Sequence, residues 1–170
     1  MESHIGVEIG TVVGNTSPQE FSFYLKSLSA KLGDLVNVEV QIPGESQGEK
    51  RGVLVWGRIT YLSRYNPFLP AEAGLELADE GREILDTVLS NSRDQIEATV
   101  LVLGATSQMD YVHLVPLNYP VQPGAIVRLP PPAAVKAILI GVDKETHRLH
   151  IGNLIGRSDV DVKIKTNVVV

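Results

Sequence analysis

VLVWGRITYLSR, residues 53–64, is the stretch of sequence that decides the fold. Its β-branched and aromatic residues favour a β-strand, and the run is longer than an ordinary strand of about five or six residues. Gly57 stands in the middle of the run, where a residue without a side chain indicates a β-bulge or a bend at the corner of a barrel. The stretch therefore predicts one long strand that bends.

Shorter alternating segments lie on both sides of this strand. In Leu35–Ile42, three valines and the isoleucine occupy every second position, and mostly polar residues stand between them. Glu20–Ser27 repeats the pattern with two phenylalanines and a leucine on its apolar side. Because side chains alternate between the two faces of a strand, each segment is predicted to bury one face and to expose the other. Further strands are predicted over Ile9–Gly14, Gln95–Gly104, Tyr111–Val115, Ala125–Leu129, His147–Ile151 and Val160–Lys165.

Two segments depart from this pattern. One is rich in acidic residues and leucine and has apolar residues at helical spacing, which predicts a helical insert near residues 72–90. In the other, three prolines followed by apolar residues three and four apart predict a short helix near residues 132–140. Since strands dominate and do not alternate with helices, the chain is expected to be mainly β, either an antiparallel barrel or a sandwich. Closure into a barrel would also remove the exposed strand edges.

The composition limits the possible functions. A chain of 170 residues suits a single domain, and the absence of cysteine excludes disulfides and thiolate metal sites. There is no signal peptide and no apolar stretch of roughly 20 residues, so a cytoplasmic protein without a membrane segment is expected. The net charge is −5. Because proteins that hold DNA directly are usually basic, any role on DNA is expected to be indirect.

The sequence carries no strong catalytic or cofactor motif. Its glycines match neither a phosphate-binding P-loop nor a dinucleotide-binding fingerprint, and it has no nucleophile elbow. The histidines lack the spacing of metal ligands; they are His4, His113, His147 and His150. We therefore expect no catalytic, cofactor-binding or metal-binding residues in this chain. The alternative is an enzyme whose site is assembled from residues distant in sequence.

Two groups of aromatic and apolar residues are candidates for binding. Aromatic side chains on a barrel can stack on the bases of single-stranded nucleic acid. The residues available for this are Phe21, Phe23, Trp56, Tyr61 and Tyr65. In YNPFLPAEAG, residues 65–74, Phe68 and Leu69 stand between two prolines in a loop. Tyr65, Phe68 and Leu69 are therefore predicted to contact a partner; alternatively, the loop folds back over the mouth of the barrel.

Five stretches, in order along the chain, carry a resemblance to a known family. They are EIGTVVGNTSPQEFSFYL (8–25), LGDLVNVEV (32–40), VWGRITYL (55–62), EATVLVLG (97–104) and HIGNLIGRSDVDVKIKTNVVV (150–170). Together they resemble the N-terminal HAS-barrel of HerA-type hexameric DNA translocases. The resemblance covers nearly the whole chain. The chain departs from the family pattern in the polar loop at residues 44–52 and in the acidic helical insert.

The resemblance implies a single closed antiparallel barrel of about six strands over residues 1–170, with a helical insertion at about 71–92. It implies a non-catalytic domain that helps to assemble a hexameric ring and docks partners, notably a NurA-type nuclease in DNA-end processing. The ATPase motor, with its ATP and Mg²⁺, would follow residue 170. The barrel alone is then expected to be a monomer or small oligomer, to hydrolyse no ATP and to bind DNA weakly or not at all. The alternative is a free-standing oligonucleotide-binding barrel.

Overall fold

The computed structural model describes residues 6–26, 28–44, 48–67, 75, 94–107, 110–140, 148–155 and 157–165. Within these residues the protein is mainly β, with nine strands and one short helix. The elements in chain order are β1 (Val7–Val13), β2 (Glu20–Leu25), β3 (Leu35–Pro43), β4 (Lys50–Tyr65), β5 (Gln95–Ser107), β6 (Asp110–Val115), β7 (Ile126–Leu129), α1 (Pro132–Ile140), β8 (Arg148–Leu154) and β9 (Arg157–Lys165).

Six of the strands close into an antiparallel barrel. The strand order is β2-β1-β7-β3-β4-β5, and β5 also pairs with β2, which completes the ring. The prediction of a closed antiparallel barrel of about six strands is therefore confirmed. β6 extends the sheet outside the ring, because β5 pairs with β2 as far as Leu101 and with β6 from Ala105 onward.

β4 is the long bent strand that the sequence predicted. Its pairing with β5 shifts register twice, between Trp56 and Gly57 and again between Ile59 and Tyr61. A Cβ atom on Gly57 would lie 2.3 Å from Cγ1 of Val100 and 3.0 Å from a backbone oxygen of β5. Only glycine allows the two strands to approach this closely, so the bend predicted at Gly57 is confirmed together with its cause.

Alternating side chains fill the barrel. Side chains of three strands point inward and are almost entirely buried. They are Phe21 and Phe23 of β2, Val36, Val38 and Val40 of β3, and Val53, Val55 and Ile59 of β4. The largest fully buried members of this core include Phe21, Phe23, Ile9, Ile59, Val36, Val38, Val55 and Val100. The inward faces predicted for Glu20–Ser27 and Leu35–Ile42 are thus confirmed. Burial of these aliphatic and aromatic groups is the main force that holds the barrel closed.

A second, smaller core lies on the outer side of β3. Leu35, Val135 of α1 and Val160 of β9 form a buried cluster, and Leu154 of β8 packs against it. Asn37 lies two residues after Leu35, hence on the same face, and it is buried as well. The prediction that this face of β3 is exposed is therefore wrong for its first half, because the helix and the β8–β9 hairpin form a second layer there.

The β8–β9 hairpin is held to the rest of the chain near one end. Arg157 donates a hydrogen bond of 3.3 Å from Nη1 to the carbonyl oxygen of Pro130 and pairs with Asp159, with Nε and Oδ1 3.1 Å apart. The side-chain hydrogen bond from Arg157 lowers the pKa of the Asp159 carboxyl below its usual value. Val160 is buried, whereas Ile164 is half exposed. The buried face predicted for Val160–Lys165 is therefore wrong at Ile164, since only the Val160 end meets the second core.

The helix predicted near residues 132–140 is confirmed as α1. The helical insert predicted near 72–90 lies, apart from Leu75, outside the described residues. In the part of the chain that the structure describes, no helix is long and apolar enough to cross a membrane.

Candidate functional site

Three tyrosines share the outer face of the barrel where β2, β5 and β4 run side by side. Tyr24 is paired with Glu97, Tyr61 with Thr99 and Tyr65 with Gln95, so all three project from the same side of the sheet. Their exposed fractions are 36%, 60% and 42%, and Leu101 on the same face is 45% exposed. We call Tyr24, Tyr61, Tyr65 and Leu101 the tyrosine patch.

Local sequence and one bulge place these residues on the outside. Phe23 and Leu25 point into the core, so Tyr24 between them must point outward. Tyr61 would share the inward face of Ile59 in a regular strand, because the two residues are two positions apart. The register shift between them moves Tyr61 opposite Thr99, on the outer face, and Leu62 then packs against the core instead.

Hydrogen bonds connect the tyrosines to each other and to the strand ends. The Tyr65 hydroxyl donates to Oε1 of Gln95 at 2.6 Å and lies 3.1 Å from the Tyr24 hydroxyl. Since the Tyr65 proton is directed at Gln95, the Tyr65 oxygen accepts the proton of Tyr24. This hydrogen bond raises the pKa of the Tyr24 phenol above its usual value.

An ion pair fixes the adjoining ends of β4 and β5. Nε of Arg64 lies 2.6 Å from Oδ2 of Asp94, and Nδ2 of Asn66 donates to Oδ1 of the same carboxylate at 3.0 Å. Asp94, directly before β5, is therefore tied to Arg64 and Asn66 at the end of β4. These contacts restrain the backbone beside Tyr65, which keeps the tyrosine patch in a defined geometry.

The hydrogen bond between the tyrosines has a measurable consequence. Tyr65→Phe is expected to return the pKa of Tyr24 toward its ordinary value near 10. A phenol whose pKa is raised stabilises the fold fully below that ordinary value and loses the contribution as the pH rises through the raised value. Tyr65→Phe should therefore be less stable than the unmodified protein at neutral pH, and this difference in stability should shrink at strongly alkaline pH. NMR titration of ring-labelled tyrosine follows the change.

The matched control is Tyr119→Phe, which removes an exposed hydroxyl after β6, and β6 pairs with β5 only beyond the part of β5 that pairs with β2. It should leave the titration of Tyr24 unchanged. An unchanged Tyr24 titration in Tyr65→Phe would contradict the hydrogen-bond chain.

The predicted site residues have different outcomes. Tyr65 lies in the tyrosine patch, whereas Phe68 and Leu69 lie outside the described residues, so their contact role stays a prediction. Tyr24 and Leu101 were not predicted as site residues. The outward position of Tyr24 in the alternation of β2 was a signal that could have found it; the exposure of Leu101 depends on what covers β5, which the sequence does not show.

Most of the aromatic residues that were candidates for stacking on nucleic-acid bases are not exposed. Phe21, Phe23 and Trp56 are buried, and Trp56 donates from Nε1 to the buried hydroxyl of Thr106 at 3.1 Å. Buried rings cannot stack on bases, so only Tyr61 and Tyr65 of the five candidates are available. This weighs against an oligonucleotide-binding barrel that relies on these aromatic residues.

The chemistry of the tyrosine patch suits a protein surface. Tyrosine and leucine supply apolar contact area, and Glu97 lies among them, because it is paired with Tyr24 and stands between Gln95 and Thr99 on β5. Lys26 forms an ion pair with Glu8, which lowers the pKa of that carboxyl. Exposed tyrosine is enriched at protein interfaces. Within the described ranges, no group of three or more His, Cys, Asp or Glu residues could hold a metal ion.

The fold and the site define a closed antiparallel β-barrel that presents an aromatic outer surface. The family model of the HAS barrel domain matches residues 9–107, more than half of the chain and the whole span from β1 to β5 apart from two residues at its start. This protein belongs to the HAS-barrel domain family. No curated protein matches its sequence.

Proposed function

We propose that this chain is the non-catalytic assembly and partner-docking domain of a HerA-like ATP-dependent DNA translocase. The translocase would act in DNA-end processing in the cytoplasm together with a NurA-type nuclease. ATP and Mg²⁺ would be bound by a motor domain that follows the barrel. Membership of the HAS-barrel family over residues 9–107 supports this proposal, and the ordered resemblance at both ends of the chain extends it.

The observation that carries the docking role is the tyrosine patch. Its tyrosines are exposed although the same strands bury most of their opposite faces, and Tyr24 and Tyr65 are held in place by the hydrogen bonds to Gln95 and between the two hydroxyls. A rigid aromatic surface loses little conformational entropy on binding, which favours its use as a contact. We assign the tyrosine patch to the nuclease or to a neighbouring subunit of the ring, with the nuclease as the first choice.

Under this proposal, the chain itself does not hold DNA, and its role on DNA is indirect. The chain has a net charge of −5, and phosphate contacts require clustered positive charge. In a ring of six subunits, the motor domains would supply much of the contact area, so the isolated barrel would be a monomer or a small oligomer. Purified barrel should neither hydrolyse ATP nor bind a labelled oligonucleotide at low salt; turnover of ATP by this chain would overturn the proposal.

The docking role is tested by substitution in the tyrosine patch. Tyr61→Ala is expected to weaken binding of a purified NurA-type nuclease by about tenfold to a hundredfold. Truncation of a tyrosine that is a hot spot of an interface costs about 1.4 to 2.8 kcal/mol, and each 1.4 kcal/mol is about a tenfold change in the dissociation constant. Isothermal titration calorimetry measures the dissociation constant. Tyr61 is chosen since its side chain takes no part in the hydrogen bonds of Tyr24 and Tyr65 that the structure describes.

Tyr119→Ala is the matched control, because Tyr119 is also about half exposed but follows β6 rather than lying on β2, β5 or β4. It should bind the nuclease as the unmodified protein does. Equal weakening by both variants, or none by Tyr61→Ala, would contradict docking at the tyrosine patch.

A further inference from the structure

A cavity opens at the end of β4 opposite to the tyrosine patch. It has a volume of about 400 Å³ and lies between the β3–β4 hairpin and the loop that follows β6. Val53 and Ala105, which belong to the barrel core, form part of its wall, and Leu117 and Tyr119 of the loop border it. A cavity of this size falls within the range of small-molecule sites.

One arginine reaches the cavity from the inner face of the barrel. Arg51 stands two residues before Val53 in β4 and is paired with Ile42 of β3, so it shares the face that fills the core. It is exposed, and among the described residues that line the cavity it is the one charged side chain. The rest of the lining is of mixed polarity, with Val53, Ala105 and Leu117 beside Thr106 and Asn118, so the inward-facing arginine provides a positive charge next to apolar side chains.

We propose that this cavity binds a small organic carboxylate with an apolar or aromatic body. The guanidinium of Arg51 would pair with the carboxylate, since arginine matches both carboxylate oxygens at once. The apolar body would lie against Leu117, with the almost fully buried Val53 and Ala105 forming part of the wall. A compact ligand fits better than an extended peptide, because the hairpin on one side and the loop after β6 on the other bound the space.

The structure supplies its own reporter for this site. Thr106 lines the cavity, and its hydroxyl accepts the hydrogen bond from Nε1 of Trp56. Trp56 is the single tryptophan of the chain. Thr106 and Trp56 share the outer face of the sheet, so a ligand against Ala105 would act on the indole through the β5 backbone at Thr106. Occupancy should therefore alter the tryptophan fluorescence without any label.

The test uses phenylacetate and its neutral analogue phenylacetamide with the purified chain. Phenylacetate is expected to give a saturable change in Trp56 fluorescence, and phenylacetamide to bind at least about tenfold more weakly, because it lacks the charge that Arg51 recognises. Arg51→Gln should weaken phenylacetate binding about tenfold and leave phenylacetamide unaffected. Arg58→Gln, an exposed arginine of the same strand outside the cavity, should bind both compounds like the unmodified protein.

Three results would overturn the inference. They are a fluorescence change that does not saturate, equal binding of the acid and the amide, and equal weakening by Arg51→Gln and Arg58→Gln. Chemical shifts of the methyl groups of Val115 and Leu117, which line the cavity, give a second readout: binding that leaves them unchanged places the ligand elsewhere and also overturns it. Since the tyrosine patch lies at the other end of β4, these results are independent of nuclease docking.

Discussion

Gly57→Ala is expected to lower the free energy of unfolding by about 3 kcal/mol, the upper end of the cost of overpacking a core. The added Cβ would lie 2.3 Å from Cγ1 of Val100, which is fully buried and has no room to turn away. It would also lie 3.0 Å from the carbonyl oxygen of Leu101, which belongs to the pairing of β4 with β5. Relief requires the two strands to separate at the bend. Urea denaturation followed by circular dichroism measures the loss.

Gly14→Ala is the matched control for this substitution. Gly14 has a φ angle of +66°, and an added Cβ would meet no atom within 4 Å. The control therefore carries only the backbone cost of a left-handed conformation, about 1 kcal/mol. If the two variants lose equal stability, close approach of the strands is not what requires glycine at position 57.

Trp56→Ala is expected to destabilise the protein by about 4 kcal/mol. The indole is fully buried on the outer side of β4, and its removal leaves a cavity and deprives the buried hydroxyl of Thr106 of its donor. Trp56→Phe keeps much of the volume and should cost about half as much. A double-mutant cycle of Trp56→Phe with Thr106→Val isolates the hydrogen bond, with an expected coupling of about 1 kcal/mol.

An exposed aromatic residue of the same strand provides the comparison. Tyr61→Ala should change the free energy of unfolding by no more than about 0.5 kcal/mol, because its side chain lies on the surface. This near-neutral result also validates Tyr61→Ala as a test of docking. A small loss in Trp56→Ala would mean that burial of the indole contributes little to stability.

The strands and the inner faces of the barrel could be predicted from local pattern. Glu20–Leu25 and Leu35–Pro43 alternate because one face fills the barrel, and that face contains the phenylalanines and valines that the pattern selected. The helix α1 was equally predictable from its prolines and apolar spacing. These features depend on short-range periodicity, which the sequence shows directly.

The candidate site was predicted only in part. Tyr65 was predicted as a partner contact and as a candidate for base stacking, but the sequence did not join it to Tyr24, which lies 41 positions away and meets it through a hydrogen bond. That contact exists because β2 and β4 both pair with β5. Trp56 was a candidate for base stacking, and the structure buries it instead.

The sequence by itself determined which residues form strands, which positions fill the barrel and where glycine had to permit a bend. Only the tertiary structure decided that a bulge turns Tyr61 outward. It also decided that α1 and the β8–β9 hairpin cover Leu35, although the next residues on that face of β3 are polar. The physical reason is the range of the interactions. Alternation arises from the geometry of one strand, whereas a register shift and a covering layer depend on segments far apart in the chain.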